Sequence, residues 1–118
     1  MKAGHLQQGE AAEQQAADYL SQRGLKLVSR NFRCKVGEID LIMREKHALV
    51  FVEVRYRQTD DFGSALESIT PSKQRKLLAA ANLYLQKHRI DQPCRFDVVA
   101  INGSANKRIN WIKNAIQS

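Results

Sequence analysis

In "GEIDLIMREKHALVFVEVRYR", residues 37–57, Asp40, Glu53 and Arg55 interrupt two apolar, strand-like runs joined by a charged turn. A hairpin built only for stability would carry valine or threonine there. Side chains alternate along a strand. Asp40 therefore shares a face with Glu38 and Ile42, and Glu53 shares one with Leu49, Phe51 and Arg55. If Glu45 and Lys46 form the loop, Arg44 faces His47 and Asp40 faces Phe51. Asp40 and Glu53 are then diagonal neighbours on one face, roughly 7–8 Å apart at the backbone. Any even loop length keeps that shared face, whereas an odd one breaks it unless a bulge restores parity. Two such carboxylates repel, so one takes up a proton or a cation sits between them. Magnesium takes oxygen ligands at about 2.1 Å and keeps several waters. Arg55 on the same side either neutralises the acids or stabilises charge developing on a phosphorane-like centre. Acids that hold a metal, beside a fixed cation, are what metal-assisted phosphodiester hydrolysis requires. The competing reading is a purely structural ion pair.

Glu13 is a second carboxylate in an unexpected place. On a helical wheel Leu6, Gly9, Ala16, Ala17 and Leu20 cluster within about 60° of one line. Glu13 lies on that line, and Glu10 at its edge. An unpaired carboxylate on a burying face costs several kcal/mol or protonates. Glu13 therefore needs a basic partner, a cation or water.

The elements that must position these residues follow from pattern and punctuation. Residues 5–23 read as a helix closed by Gly24. Strands are predicted over 25–32, 36–43 and 48–56, followed by a polar loop over 57–69 containing Asp60, Asp61, Gly63 and Ser64. Thr70 and Pro71 read as an N-cap and first helical residue, opening a helix that runs to about Arg89. After Pro93 come a strand over 95–101, a turn over 102–107 and a short strand over 108–112, with a helical turn at the end. Short turns pair strands antiparallel, and the crossover through the second helix places the fourth strand parallel to an earlier one. The expected architecture is α/β: a mixed central sheet of about five strands with a long helix on each side.

A chain of 118 residues suits one domain, taken as 1–118. The net charge of +7 and pI near 9.7 make a polyanion the first partner to consider, nucleic acid ahead of membrane. Cys34 and Cys94 form neither a disulfide framework nor a zinc motif, which suits a reducing cytoplasm. No apolar run approaches the roughly 20 residues of a membrane span, and "MKAGHLQQGE" lacks the apolar segment of a signal peptide. His5, His47 and His88 are scattered, against a histidine metal site. Arg30, Arg33, Arg57, Lys73, Arg75 and Lys76 form a candidate phosphate track, with Lys73 near a helix N-terminus. Phe32, Phe51, Tyr84 and Phe96 sit in apolar patterns, leaving no evident stacking platform for single strands. Asp97, inside "RFDVVAI", reads as a structural anchor.

"GEID" followed by "FVEVR" on the next strand resembles the signature of the PD-(D/E)xK nuclease superfamily. More closely, the chain resembles the YraN family, which is similar in sequence to archaeal Holliday-junction resolvases. "GEAAEQQAADYL", "SRNFR", "GEIDLI", "LVFVEVRYR", "TPSKQRKLLAAANLYL" and "CRFDVVAI" carry the likeness, over roughly residues 9–115. The resemblance implies a restriction-endonuclease-like fold and a Mg2+- or Mn2+-dependent endonuclease acting on DNA, branched DNA included. It implies that Asp40 and Glu53 bind metal, that Glu13 is the additional acid from the helix, and that Arg55 stands where a lysine is usual. Arginine stays protonated near neutral pH and cannot serve as a base. The alternative is therefore a nucleic-acid-binding module that keeps the fold without the chemistry, and a weaker third option is a scaffold. Resolvase-like relatives act as dimers, so a homodimer is among the implied partners. Glu13, Asp40, Glu53 and Arg55 are expected to converge in one solvent-open pocket at the sheet's edge.

Overall fold

Helix α1 (Gly4–Gln22) buries Ala12, Ala16, Ala17 and Leu20, small residues that let it lie close on a sheet. It ends as its sequence demands. Gly24 takes φ 99, Leu25 N–H donates to Leu20 O at 3.1 Å and Gly24 N–H donates to Ser21 O at 3.1 Å. That is a Schellman closure, with Leu20 and Leu25 in one apolar cluster. The computed structural model describes residues 4–57, 67–103 and 108–116, with side chains from residue 9 onward. The predicted loop residues Asp60, Asp61, Gly63 and Ser64, turn residues 104–107, and the side chains of His5 and Leu6 lie outside it.

Five strands form one sheet in sequence order: β1 (Lys26–Cys34), β2 (Gly37–Glu45), β3 (Ala48–Arg57), β4 (Cys94–Asn102) and β5 (Arg108–Ile116). All neighbours are antiparallel except β3 and β4, which are parallel and linked through helix α2 (Pro71–Lys87). Alternation on β3 sends Leu49 and Phe51 to one face and Val50 and Val52 to the other. The first face packs on Leu77, Ala80, Ala81 and Tyr84 of α2. The second packs on α1. Covered on both faces, the central strands can be almost wholly apolar. The architecture is the expected one, a mixed sheet with a helix on each side. At the start of α2, Thr70 Oγ1 accepts from Lys73 N at 3.2 Å and Pro71 occupies the first helical position. The helix stops at Lys87, short of the predicted Arg89, which takes φ 53. Among the described residues no helix is long and apolar enough to cross a membrane.

Two local expectations are corrected. Glu45 pairs with Ala48, so the β2–β3 loop is Lys46–His47, not Glu45–Lys46, and Ile42 rather than Asp40 faces Phe51. Glu45 is held in the strand by Arg95, whose Nη1 lies 2.8 Å from Glu45 Oε1. The loop length stays even, so the shared face survives. The predicted terminal helical turn is instead a continuation of β5 to Ile116. Asp97, fully buried, accepts from Trp111 Nε1 and from Asn114 N, each at 2.9 Å, and from Arg95 Nε at 3.0 Å. These bonds hold β5 across a bulge where Asn114 has φ 53. Asp97 thus acts as the anchor its sequence context suggested.

Candidate functional site

The β2–β3 ladder stops at the Leu41–Val52 pair, and one position further along Asp40 and Glu53 would stand opposite each other. There Asp40 Oδ2 accepts from the Val54 N–H at 2.8 Å, a side chain taking the place of a backbone acceptor. Strict alternation would put Ile39 and Leu41 on one face, yet Ile39 packs on the α2 side and Leu41 on the α1 side. The strands therefore fork at Asp40. A cavity of about 380 Å³ opens at the fork, between the two helices. Its lining includes Gly9 and Glu13 of α1, Asp40 of β2, Glu53 and Arg55 of β3, and Lys73 and Lys76 of α2. The four residues expected to converge do line one cavity, but between interior strands and not at the sheet's edge, because the fork falls between β2 and β3.

The electrostatics of the fork are unfavourable to ionised acids. Glu53 is only 6% exposed, and its carboxyl is pushed up to about 8. Burial is the main cause and the charge of Asp40 the next; Arg55 opposes both, its Nη2 lying 2.8 Å from Glu53 Oε2. Asp40 is also raised, first by burial, against the Val54 N–H and a hydrogen bond from the Glu53 carboxyl. Burial and mutual repulsion thus raise both acids, and the backbone donor offsets part of the shift at Asp40. Glu13 is pushed up to about 7, by burial first and then by Asp40.

Asn31 is a site residue that strand-pattern reading missed. It takes φ 51 on β1, a conformation asparagine tolerates better than most residues. With its amide oriented to the hydrogen-bond network, its NH2 donates to Glu13 Oε1 and Glu38 Oε2, each at 3.2 Å. Asparagine inside a polar-apolar strand run was the one available signal. Gly37 shapes the opposite wall: a Cβ there would come within 3.2 Å of Lys76 O, a tight contact that glycine spares where β2 starts beside α2.

The basic residues divide. Lys73 and Lys76 are exposed and line the cavity. Arg30 is close enough to Glu13 to favour its charged form. Arg33 is spent on Glu38 at 3.4 Å, in a pair whose side chains are 74% and 41% exposed and which contributes little. Arg57 is half-buried, its Nη1 donating to Tyr56 O at 3.3 Å, and does not line the cavity. The Arg55 side chain is 14% exposed, and its Nε has no hydrogen-bond partner among the described residues.

Hard carboxylate oxygens suit Mg2+ or Mn2+. Among the described residues no group of three or more His, Cys, Asp or Glu side chains is assembled around one point. Magnesium, however, is commonly bound through one or two carboxylates, with water completing its shell. The Asp40–Glu53 pair fits that requirement, and a cation there would relieve the repulsion between them.

The uncharacterised protein family UPF0102 matches residues 12–101. A UPF0102 protein of Janthinobacterium sp. (strain Marseille) is 53% identical over 110 residues, covering 93% of this chain and 87% of its own. One from Nitrosococcus oceani is 50% identical over 118 residues, covering 98% and 95%. One from Nitrosomonas europaea is 53% identical over 107 residues, covering 91% of each. With the family matched across most of its length and relatives covering nearly all of it, the chain belongs to the UPF0102 family.

Proposed function

We propose that this protein binds nucleic acid, DNA in the first instance, and hydrolyses its phosphodiesters at the β2–β3 fork with Mg2+ or Mn2+. The observation that carries the reading is the gathering of Glu13, Asp40 and Glu53 in one cavity whose rim bears Lys73 and Lys76. A fold seeking only stability gains nothing from two buried acids that repel each other. Asp40 and Glu53 would hold the cation, and Glu13, steadied by Asn31, would orient water. When bound, the cation supplies a water of lowered pKa and offsets charge on the phosphate. Arg55 keeps Glu53 in place and adds fixed positive charge; being arginine, it takes no proton.

A second reading, a nucleic-acid-binding module without chemistry, is favoured by the Arg55–Glu53 contact, which already offsets one acid. A cleavage panel of single- and double-stranded DNA and RNA, with Mg2+, Mn2+ or chelator, separates the two. The hydrolase reading expects metal-dependent products from wild type and none from Asp40→Asn or Glu53→Gln. Binding without cleavage by wild type in either metal leaves the second reading standing. Cleavage that persists in both variants removes the fork from the chemistry.

A further inference from the structure

Glu53 lies 94% buried at the floor of the cavity, only 6% of it reached by solvent. The walls are helices: Gly9 and Ala12 on α1, Lys73 and Lys76 on α2. A volume of about 380 Å³ falls at the low end of small-ligand sites, roughly 300–1,000 Å³. It accommodates about one nucleotide. An unpaired strand bends freely and can turn a single phosphate inward toward recessed acids, which a stiff duplex does less readily.

Gly9 supplies an independent observation. It lies inside α1, where glycine is a poor helix former. No packing among the described residues demands it, since a Cβ built there meets none of their heavy atoms within 4 Å, and its φ is not in the left-handed region. Its missing side chain leaves open one wall of the cavity that Glu13, one turn further on, also lines. Across from it, Lys73 and Lys76 lie one turn apart on α2. Both are exposed, and neither takes part in an ion pair among the described residues. Arg55, the other cation of the site, is occupied by Glu53. The charge available to grip an incoming phosphate therefore sits on α2.

We propose that the cavity admits one nucleotide of an unpaired strand, its phosphate held by Lys73 and Lys76 and its chain passing the bare surface at Gly9. This rests on the nucleic-acid reading above and narrows it to single-stranded substrate: a free strand, a gap or a frayed end.

The test compares a short labelled single-stranded DNA with the same sequence annealed as a blunt duplex. Binding is followed by fluorescence anisotropy at fixed salt, in chelator and again in Ca2+. Wild type should prefer the single strand by about tenfold or more. Gly9→Ala, Gly9→Leu and Gly9→Phe should melt no lower than wild type, and should lose single-strand affinity in order of side-chain size. Duplex binding should change little across that series. Lys73→Gln with Lys76→Gln should weaken single-strand binding and lower its log–log salt slope by about 1.4, two contacts at about 0.7 each. Equal affinity for the two DNA forms, or a Gly9 series with no graded loss, overturns the strand selection while leaving the nucleic-acid reading intact. Failure of wild type to bind either form overturns both.

Discussion

Burial and the neighbouring Asp40 raise the Glu53 carboxyl more than Arg55 and Lys73 lower it. Its folded value of about 8 lies above the ordinary 4.5, so between those pH values the folded chain binds more protons than the unfolded one. The stability this group contributes is complete below about pH 4.5 and is lost as pH rises through about 8. Glu13, raised to about 7, adds in the same direction but more weakly, being more exposed. Melts in chelator should therefore show wild type losing stability between about pH 5 and pH 8.5, with a clearly flatter profile for Glu53→Gln. A variant whose profile runs parallel to wild type would remove Glu53 as the titrating group. At this scale the sequence carried much: a charge pattern placed Asp40, Glu53 and Arg55 on one face, and a wheel placed Glu13 on the burying side of its helix. Asn31 escaped, because its role depends on β1 turning through a positive φ beside two acids from other elements.

The elements were legible wherever their signals are local. Gly24 closing α1 and Thr70–Pro71 opening α2 are short-range chemistry, and both ends form as that chemistry dictates. The β2–β3 register and the extent of β5 were not legible, because distant groups decide them. Arg95 on β4 holds Glu45 in its strand, and Asp97 holds Trp111 and Asn114. The fork is likewise tertiary: nothing near Asp40 in sequence announces that the Val54 N–H will reach its side chain. Two glycines bordering the cavity offer a test of this element-level account. Gly37→Ala puts a Cβ 3.2 Å from the α2 backbone and should cost about 1–3 kcal/mol. Gly9→Ala meets nothing among the described residues and should stabilise α1 by up to about 1 kcal/mol. Urea denaturation measures both; the same sign for the two substitutions would refute the packing described at Gly37.

For the whole molecule, the net charge of +7 is a statement about partners, and the structure sorts which charges face the cavity. Lys73 lines it, and Arg30 lies near Glu13. Charge reversal at either should weaken DNA binding and reduce the salt slope by about 0.9 per lost contact on duplex, or about 0.7 on a single strand. Arg33→Glu should change less, since that side chain does not line the cavity. Salt titrations in which Arg33 matters as much as Lys73 would contradict this sorting. On the proposed function, Asp40 and Glu53 are kept together, against the preference of the fold, to hold a divalent cation. Thermal melts of wild type, Asp40→Asn and Glu53→Gln, with and without Mn2+, test it most directly. Wild type should gain about 2.7 kcal/mol at a 100-fold excess of metal over its dissociation constant, both variants should lose this gain, and neither should be less stable than wild type in chelator. A metal-independent wild type, with either variant costing about 3 kcal/mol in chelator because Arg55 is left without its acid, would contradict it.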